Sequence, residues 1–200
     1  MKIKKVLQWA RNTIFRRGFG TKRWEKNFGG FGQNSEIGYP AILQETNKIH
    51  IGNNTTILNN ARLQNFSDKA ENVQGIFIGD RCYLGFGLSV LNASKIVIGD
   101  DVLMASNVLI CSENHGMNPE SNLPYMDQKL EAKDVEIGNG CWISQNVCIL
   151  PGVRIGEKSI IGAGSIVTKS IPDYCIAVGN PARVIKKYNF ESHKWEKVDG

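Results

Sequence analysis

The sequence predicts an all-β chain wound as a parallel β-helix, and three observations carry that prediction. Residues 137–172 divide into six blocks of six, each opened by an aliphatic residue: Ile137, Ile143, Ile149, Ile155, Ile161 and Val167. The fifth place of these blocks is small or β-branched, as at Cys141, Val147, Val153, Ser159 and Ser165. The same frame fits residues 51–110, so that all fifteen heads are aliphatic or Met. A period of six matches neither the helix repeat of 3.6 nor plain strand alternation. It fits a short strand and a tight turn, repeated. Three units make a triangular coil of eighteen residues, which cannot bury its apolar face alone and must stack on another coil.

The elements follow in order. Residues 1–30 form a basic arm: the first 26 carry nine Lys or Arg against Glu25 alone, a charge of +8, while the remainder holds 15 basic and 18 acidic residues, a charge of −3. Ile3, Val6, Leu7, Ala10 and Ile14 recur at helical spacing through residues 1–28, and Gly18 and Gly20 mark a stop, so an amphipathic helix is expected there. Such a helix either lies on an anionic membrane surface or anionic glycan, or docks on the prism with its lysines solvated.

The prism domain is expected over residues 31–185. Its first coil is irregular, with Ile37 as the one clear head in GQNSEIGYP. Ile51, Ile57 and Leu63 head the next coil, and a polar stretch, residues 69–77, interrupts it. Ile78, Leu84 and Val90, then Ile98, Met104 and Ile110, head two more. From about 116 to 134 the frame is lost in GMNPESNLPYMDQKLEAKD, rich in turn formers and charges. A loop of that length expelled from a regular solenoid is a functional candidate. After the last coil, residues 186–200 read as a polar tail with Phe190 and Trp195, expected to close the open end as a short helix.

Composition narrows the chemistry. No apolar run approaches the roughly 18 residues of a membrane span, and no signal-peptide core follows the first lysines, so a cytoplasmic location is expected. The five cysteines form no CxxC pair; Cys82 and Cys141 fall on the small fifth place and read as core fillers. The three histidines share no ligand spacing, so no metal site is expected. Phosphate-binding loops of the GxxxxGK[ST] kind are absent, and IGAGS at 161–165 belongs to the frame of six.

Two features remain for chemistry. His50 precedes a hexad and His193 sits in the tail, but His115 stands at the root of the long loop, on a rigid coil. A neutral imidazole there suits a general base near pH 7; a packing or surface role is the plainer alternative. Lys169, Arg183, Lys186 and Lys187 gather toward the C-terminal coils, either as a solvated patch or as partners for phosphates.

Four segments in this order, SENHGMNP, IGNGCWISQNVCILPGVRIG, IVTKSIP and AVGNPARVIKK, give the chain a specific likeness over roughly residues 76–188. It resembles the hexapeptide-repeat acyltransferases, in the maltose, galactoside and xenobiotic acetyltransferase branch that includes bacterial capsule and lipopolysaccharide O-acetyltransferases. The resemblance implies a left-handed prism, against the usual right-handed rule for parallel crossovers, and a homotrimer with active sites between subunits. It implies acetyl-CoA as acyl donor, lying in a groove between prisms, and a carbohydrate hydroxyl as acceptor in capsular polysaccharide or lipopolysaccharide synthesis. Nucleic acid is not an expected partner.

Position by position, the resemblance makes His115 the catalytic base. Trp142 and Gln145 fall at cofactor-contacting places, and Ala163 at a place whose backbone meets the pantetheine arm. Thr168 and Lys169 match a pair beside the cofactor; Arg183 and Lys186 match cations facing its phosphates. Either Glu113 or Asn114 is expected to orient the imidazole, and the sequence leaves both open. One departure stands out: Leu84-Gly85-Phe86-Gly87 lies where the maltose and galactoside enzymes carry an Asn-containing sugar-holding segment, which argues against those simple sugars. Two other functions stay open: N-acetylation of an amino sugar, since the same base serves an amine, and a non-catalytic scaffold. Serine acetyltransferases use two histidines, and hexapeptide carbonic anhydrases need three zinc ligands that this chain lacks.

Overall fold

The computed structural model describes residues 25–198; the expected N-terminal helix lies outside the described residues. The chain winds as stacked triangular coils with three flat faces. Face I holds Gly30–Phe31, Ile49–Ile51, Gly75–Ile78, Lys95–Ile98, Val135–Ile137 and Arg154–Ile155, all parallel. Face II holds Glu36–Ile37, Thr56–Ile57, Tyr83–Leu84, Leu103–Met104, Trp142–Ile143, Ile160–Ile161 and Cys175–Val178. Face III holds Ile42–Gln44, Arg62–Asn65, Ser89–Asn92, Leu109–Cys111, Cys148–Ile149 and Ile166–Val167.

The period of six becomes register. Ile51, Ile78, Ile98, Ile137 and Ile155 pair in a single column on face I. Ile57, Leu84, Met104, Ile143 and Ile161 do so on face II, and Leu63, Val90, Ile110, Ile149 and Val167 on face III. All fifteen point into the prism and none is more than 4% exposed. Each column stacks like on like, so every aliphatic head touches the heads above and below it and water is excluded along the whole axis. Cys82 and Cys141 fill corners as expected, buried and unbridged.

The first coil is more regular than its sequence suggests. Phe31 and Leu43 join Ile37 as heads, in register with Ile51, Leu63 and Ile57. They are only partly buried, which is why the pattern there is weak.

Corners explain the small residues in two ways. Many glycines directly follow a head and are needed for close stacking: a Cβ on Gly138 would sit 2.7 Å from the backbone nitrogen of Glu157 in the next coil. The left-handed conformation falls elsewhere, on stacked corner residues such as Asn60, Gly87, Asn107, Asn146 and Gly164 between faces II and III. Asparagine tolerates that conformation better than other residues with a Cβ.

Both excursions leave at the corner between faces III and I. The shorter runs from Phe66 to Gln74, the longer from Glu113 to Asp134. Beyond the last parallel strand, face II continues as an antiparallel hairpin, Arg183–Asn189 paired with Cys175–Val178 on one side and with Lys194–Lys197 on the other. The tail is therefore strand and not the expected helix. Phe190 and Trp195 stack edge-on against Tyr188, and Tyr174 joins through Phe190, an arrangement a β-hairpin provides and a polar helix would not. No helix among the described residues is long and apolar enough to cross a membrane.

Candidate active site

His115 emerges where a braced loop meets the prism. Glu113–Asn114 pairs antiparallel with Glu131–Ala132, so the loop leaves and returns as a two-stranded ribbon, and His115 is the next residue, exposed. Gly116 is buried against the segment that leads into the return strand; a Cβ there would meet Gln128 Cβ at 2.8 Å and the Lys129 carbonyl at 2.9 Å. Gln128 spans the loop, accepting from the Asn118 N–H at 3.0 Å and donating to the carbonyls of Asn118 and Leu123, both at 3.1 Å. Lys129 forms an ion pair with Glu71 of the shorter excursion at 3.1 Å. The loop presents Met117, Leu123, Tyr125 and Met126 to the outside, an apolar set unusual for a surface loop.

The sequence-predicted cofactor residues fall in two groups. Trp142 lies on face II, 48% exposed, in register with Leu103 below and Ile160 above. Gln145 and Ala163 occupy the corner between faces II and III on successive coils, both exposed, and the Gly164 N–H donates to the Gln145 carbonyl at 2.9 Å. Nothing lies within 4 Å of where a Gly164 Cβ would be, so this corner shows open backbone to a ligand. Up face II the pairing runs Trp142, Ile160, Ile176, Lys186 in one register. At about 4.8 Å per strand, Lys186 stands about 14 Å from Trp142 along the axis. Arg183 pairs with Val178 on the same hairpin, its guanidinium donating to the Ala182 carbonyl at 2.9 Å.

The second group is His115, Thr168 and Lys169, all exposed at the corner between faces III and I. Face III separates the two groups within one chain.

Lys169, Arg183, Lys186, Lys187 and Lys197 have no carboxylate within 4 Å among the described residues. Lys197 was not among the residues picked from the sequence; only the hairpin register, which sets it opposite Lys186, brings it in. The outward apolar run of Tyr83 and Leu103 below Trp142 was also missed, though its signal is plain: each stands one place before a face II head. Cys111 and Cys141 carry thiols pushed up to about 11 by burial, which makes them poor nucleophiles. No cluster of three potential metal-ligating side chains occurs among the described residues.

Comparison with known proteins assigns the architecture. The family described as "Bacterial transferase hexapeptide (six repeats)" matches residues 134–169. A provisionally assigned lipopolysaccharide biosynthesis O-acetyl transferase, WbbJ of Escherichia coli K12, is 35% identical over 168 residues, covering 81% of this chain and 83% of that protein. The chain belongs to the hexapeptide-repeat acyltransferases. Its prism is thus the left-handed β-helix of that family, and its class of chemistry is acyl transfer. A maltose O-acetyltransferase from Clostridium difficile 630 superposes with a TM-score of 0.60 at 28% identity, over 88% of this chain and 81% of that one. The N-acyltransferase AntD of Bacillus cereus, in complex with dTDP-4-amino-4,6-dideoxyglucose and coenzyme A, gives a TM-score of 0.74 over 87% and 91% of the two chains. At 22% identity, that likeness speaks for the fold alone.

Proposed function

We propose that this acyltransferase moves an acetyl group from acetyl-CoA to a hydroxyl of a carbohydrate, with His115 as general base, in the assembly of a capsular polysaccharide or lipopolysaccharide. The observation that carries the reading is an exposed imidazole at the base of a braced loop, in a chain related to WbbJ over most of its length. His115 takes the acceptor's hydroxyl proton, and the freed oxygen attacks the thioester carbonyl. The imidazolium then returns that proton to the departing thiolate, so acetyl ester and free thiol form without net proton change.

The residues fit the donor. Trp142 offers an apolar face, Gln145 and Ala163 line a corner of open backbone, and Thr168 and Lys169 flank it on the other chain. Arg183 and Lys186, without a carboxylate partner among the described residues, supply cations for phosphates, which bind guanidinium and ammonium groups through charge-assisted hydrogen bonds.

A homotrimer would bring the two groups together. On three successive coils the outward places of face II (Leu103, Trp142, Ile160) and face III (Leu109, Cys148, Ile166) are apolar, whereas face I follows Val97 with Glu136 and Arg154. That asymmetry supports faces II and III meeting neighbouring chains and face I meeting solvent. The +8 charge of residues 1–26 supports a role for the arm in holding the enzyme at the inner face of an anionic membrane or on an anionic glycan. Deleting residues 1–28 should then weaken binding to anionic vesicles or polymers while sparing turnover of a small acceptor.

Thiol release from acetyl-CoA across a panel of sugars and oligosaccharides, for wild type beside His115→Ala, tests the central reading. Acceptor-dependent release should fall by at least about a hundredfold in the variant. Equal release in both proteins removes His115 from the mechanism. Turnover confined to amino sugars makes the enzyme an N-acetyltransferase, and absence of acetyl-CoA binding leaves a scaffold.

A further inference from the structure

At the corner between faces III and I, one position breaks the aliphatic rule of the interior. Asn65, Asn92 and Ser112 lie two residues beyond the heads Leu63, Val90 and Ile110, and all three are completely buried. They are joined end to end. The Ser112 hydroxyl donates to Asn92 Oδ1 at 2.8 Å and accepts the Ala93 N–H at 2.9 Å. Asn92 Nδ2 donates to Asn65 Oδ1 at 2.8 Å, and Asn65 Nδ2 donates to the Glu45 carbonyl at 3.3 Å. No buried side-chain nitrogen or oxygen among the described residues lacks a partner.

The ladder stops where the long loop begins. On the next two coils the matching places hold Pro151 and Lys169, neither of them buried. Ser112, its last member, is also the clasp of the loop: its N–H donates to the Leu91 carbonyl at 3.0 Å, and its carbonyl accepts the Lys133 N–H at 2.8 Å. Two ribbon residues later stands His115. Buried polar groups must find partners in fixed directions, so a satisfied network specifies one arrangement where an aliphatic corner would tolerate several.

We infer that the Asn65–Asn92–Ser112 ladder sets the position of His115, with Asn92 and Ser112 as positioning residues that act through the loop root; the catalytic part of this inference rests on the function proposed above. Ser112→Ala should lower kcat roughly ten- to hundredfold, since small misplacements of a reacting group have that effect. The KM for acetyl-CoA should stay within about twofold, and Ser112→Thr, which keeps the hydroxyl, should restore most of kcat. Thr55 offers a matched comparison: its hydroxyl is as deeply buried, donating to the Gly79 carbonyl at 2.8 Å at the corner between faces I and II. Thr55→Val should lower thermal stability and leave kcat alone. If Ser112→Ala and Thr55→Val both lower stability and neither moves kcat, the ladder is structural only and the inference fails.

Amide hydrogen exchange separates this from the acetylation reading. In Ser112→Ala, exchange at residues 113–116 and 131–133 should quicken by about tenfold or more, with Leu103–Met104 and Trp142–Ile143 unchanged. Unchanged exchange at the loop root overturns the inference whatever the activity. Quickened exchange in a protein that releases no thiol with any acceptor supports the ladder's hold on the root and counts against the proposed reaction instead.

Discussion

Lys186 stands directly opposite Lys197 across the last antiparallel pair of face II, two ammonium side chains on one surface with no carboxylate within 4 Å among the described residues. Like charges so placed cost the free protein about 0.2–1 kcal/mol. A phosphate between them would turn that cost into affinity. Lys197→Glu should therefore raise the melting temperature of the free enzyme while raising the KM for acetyl-CoA several-fold with kcat unchanged. Sulfate should stabilise wild type more than the variant; equal stabilisation would mean that the pair does not hold an anion.

Leu103 tests the assembly. Three copies of the 22.2 kDa chain should sediment together at about 67 kDa. Leu103→Asp sets a charge in the middle of the exposed Tyr83–Leu103–Trp142 run. A desolvated, unpaired carboxylate is expensive, so the variant should sediment as a single chain and lose activity with its fold intact. A variant that keeps the wild-type mass turns face II to solvent.

The Arg81–Asp101 pair gives a signed pH dependence. Arg81 Nε donates to Asp101 Oδ1 at 2.7 Å and Nη2 to Oδ2 at 2.8 Å, which holds the Asp101 carboxyl below its ordinary value. A depressed carboxylate contributes stability above its unfolded pKa, and that contribution fades as pH falls through the folded value. Asp101→Asn removes that contribution, so the melting temperature of wild type should fall relative to that of the variant as pH drops from 7 into the acid range, and the effect should shrink in about 1 M salt because the pair is exposed. Thermal melts across that range decide it.

Thiol titration reads the corners. With its thiol pushed up to about 11 by burial, Cys111 is a thiolate in only about one molecule in a thousand at pH 8. Its modification in the native protein should be slow and should rise about tenfold per pH unit between pH 8 and 10. All five cysteines should react promptly in denaturant, and fast native labelling of Cys111 would place it on an open surface.

How far the molecule could be read in advance follows from what repeats. The fifteen heads were legible because each coil imposes the same demand on the same place, an aliphatic side chain inside a closed triangle. Phe31 and Leu43 obey that spacing too, yet at the open end the demand relaxes and the surrounding polar residues hide them. His115 stands out as a candidate by its place at the edge of an interruption, and Trp142, Ala163 and Thr168 as candidates by their local motifs, while their exposure and their corners came only with the fold. The opposition of Lys186 and Lys197 could not, since it depends on where the hairpin reverses. Nor could the ladder under the loop: its members are 27 and 20 residues apart, unequal because an excursion of its own length intervenes, and no fixed spacing reveals them.

The hairpin has a consequence of another kind. A stack of parallel coils offers, at its last turn, a template on which a further coil from any copy of the chain could settle, and so on without limit. On face II that template is taken by a strand running the opposite way, and the outermost described strand carries Lys194 and Lys197. An incoming coil would meet reversed polarity and two positive charges where it needs matching amides and carbonyls. Lys197, proposed to meet a phosphate, thus has a second part to play in closing face II against a further coil.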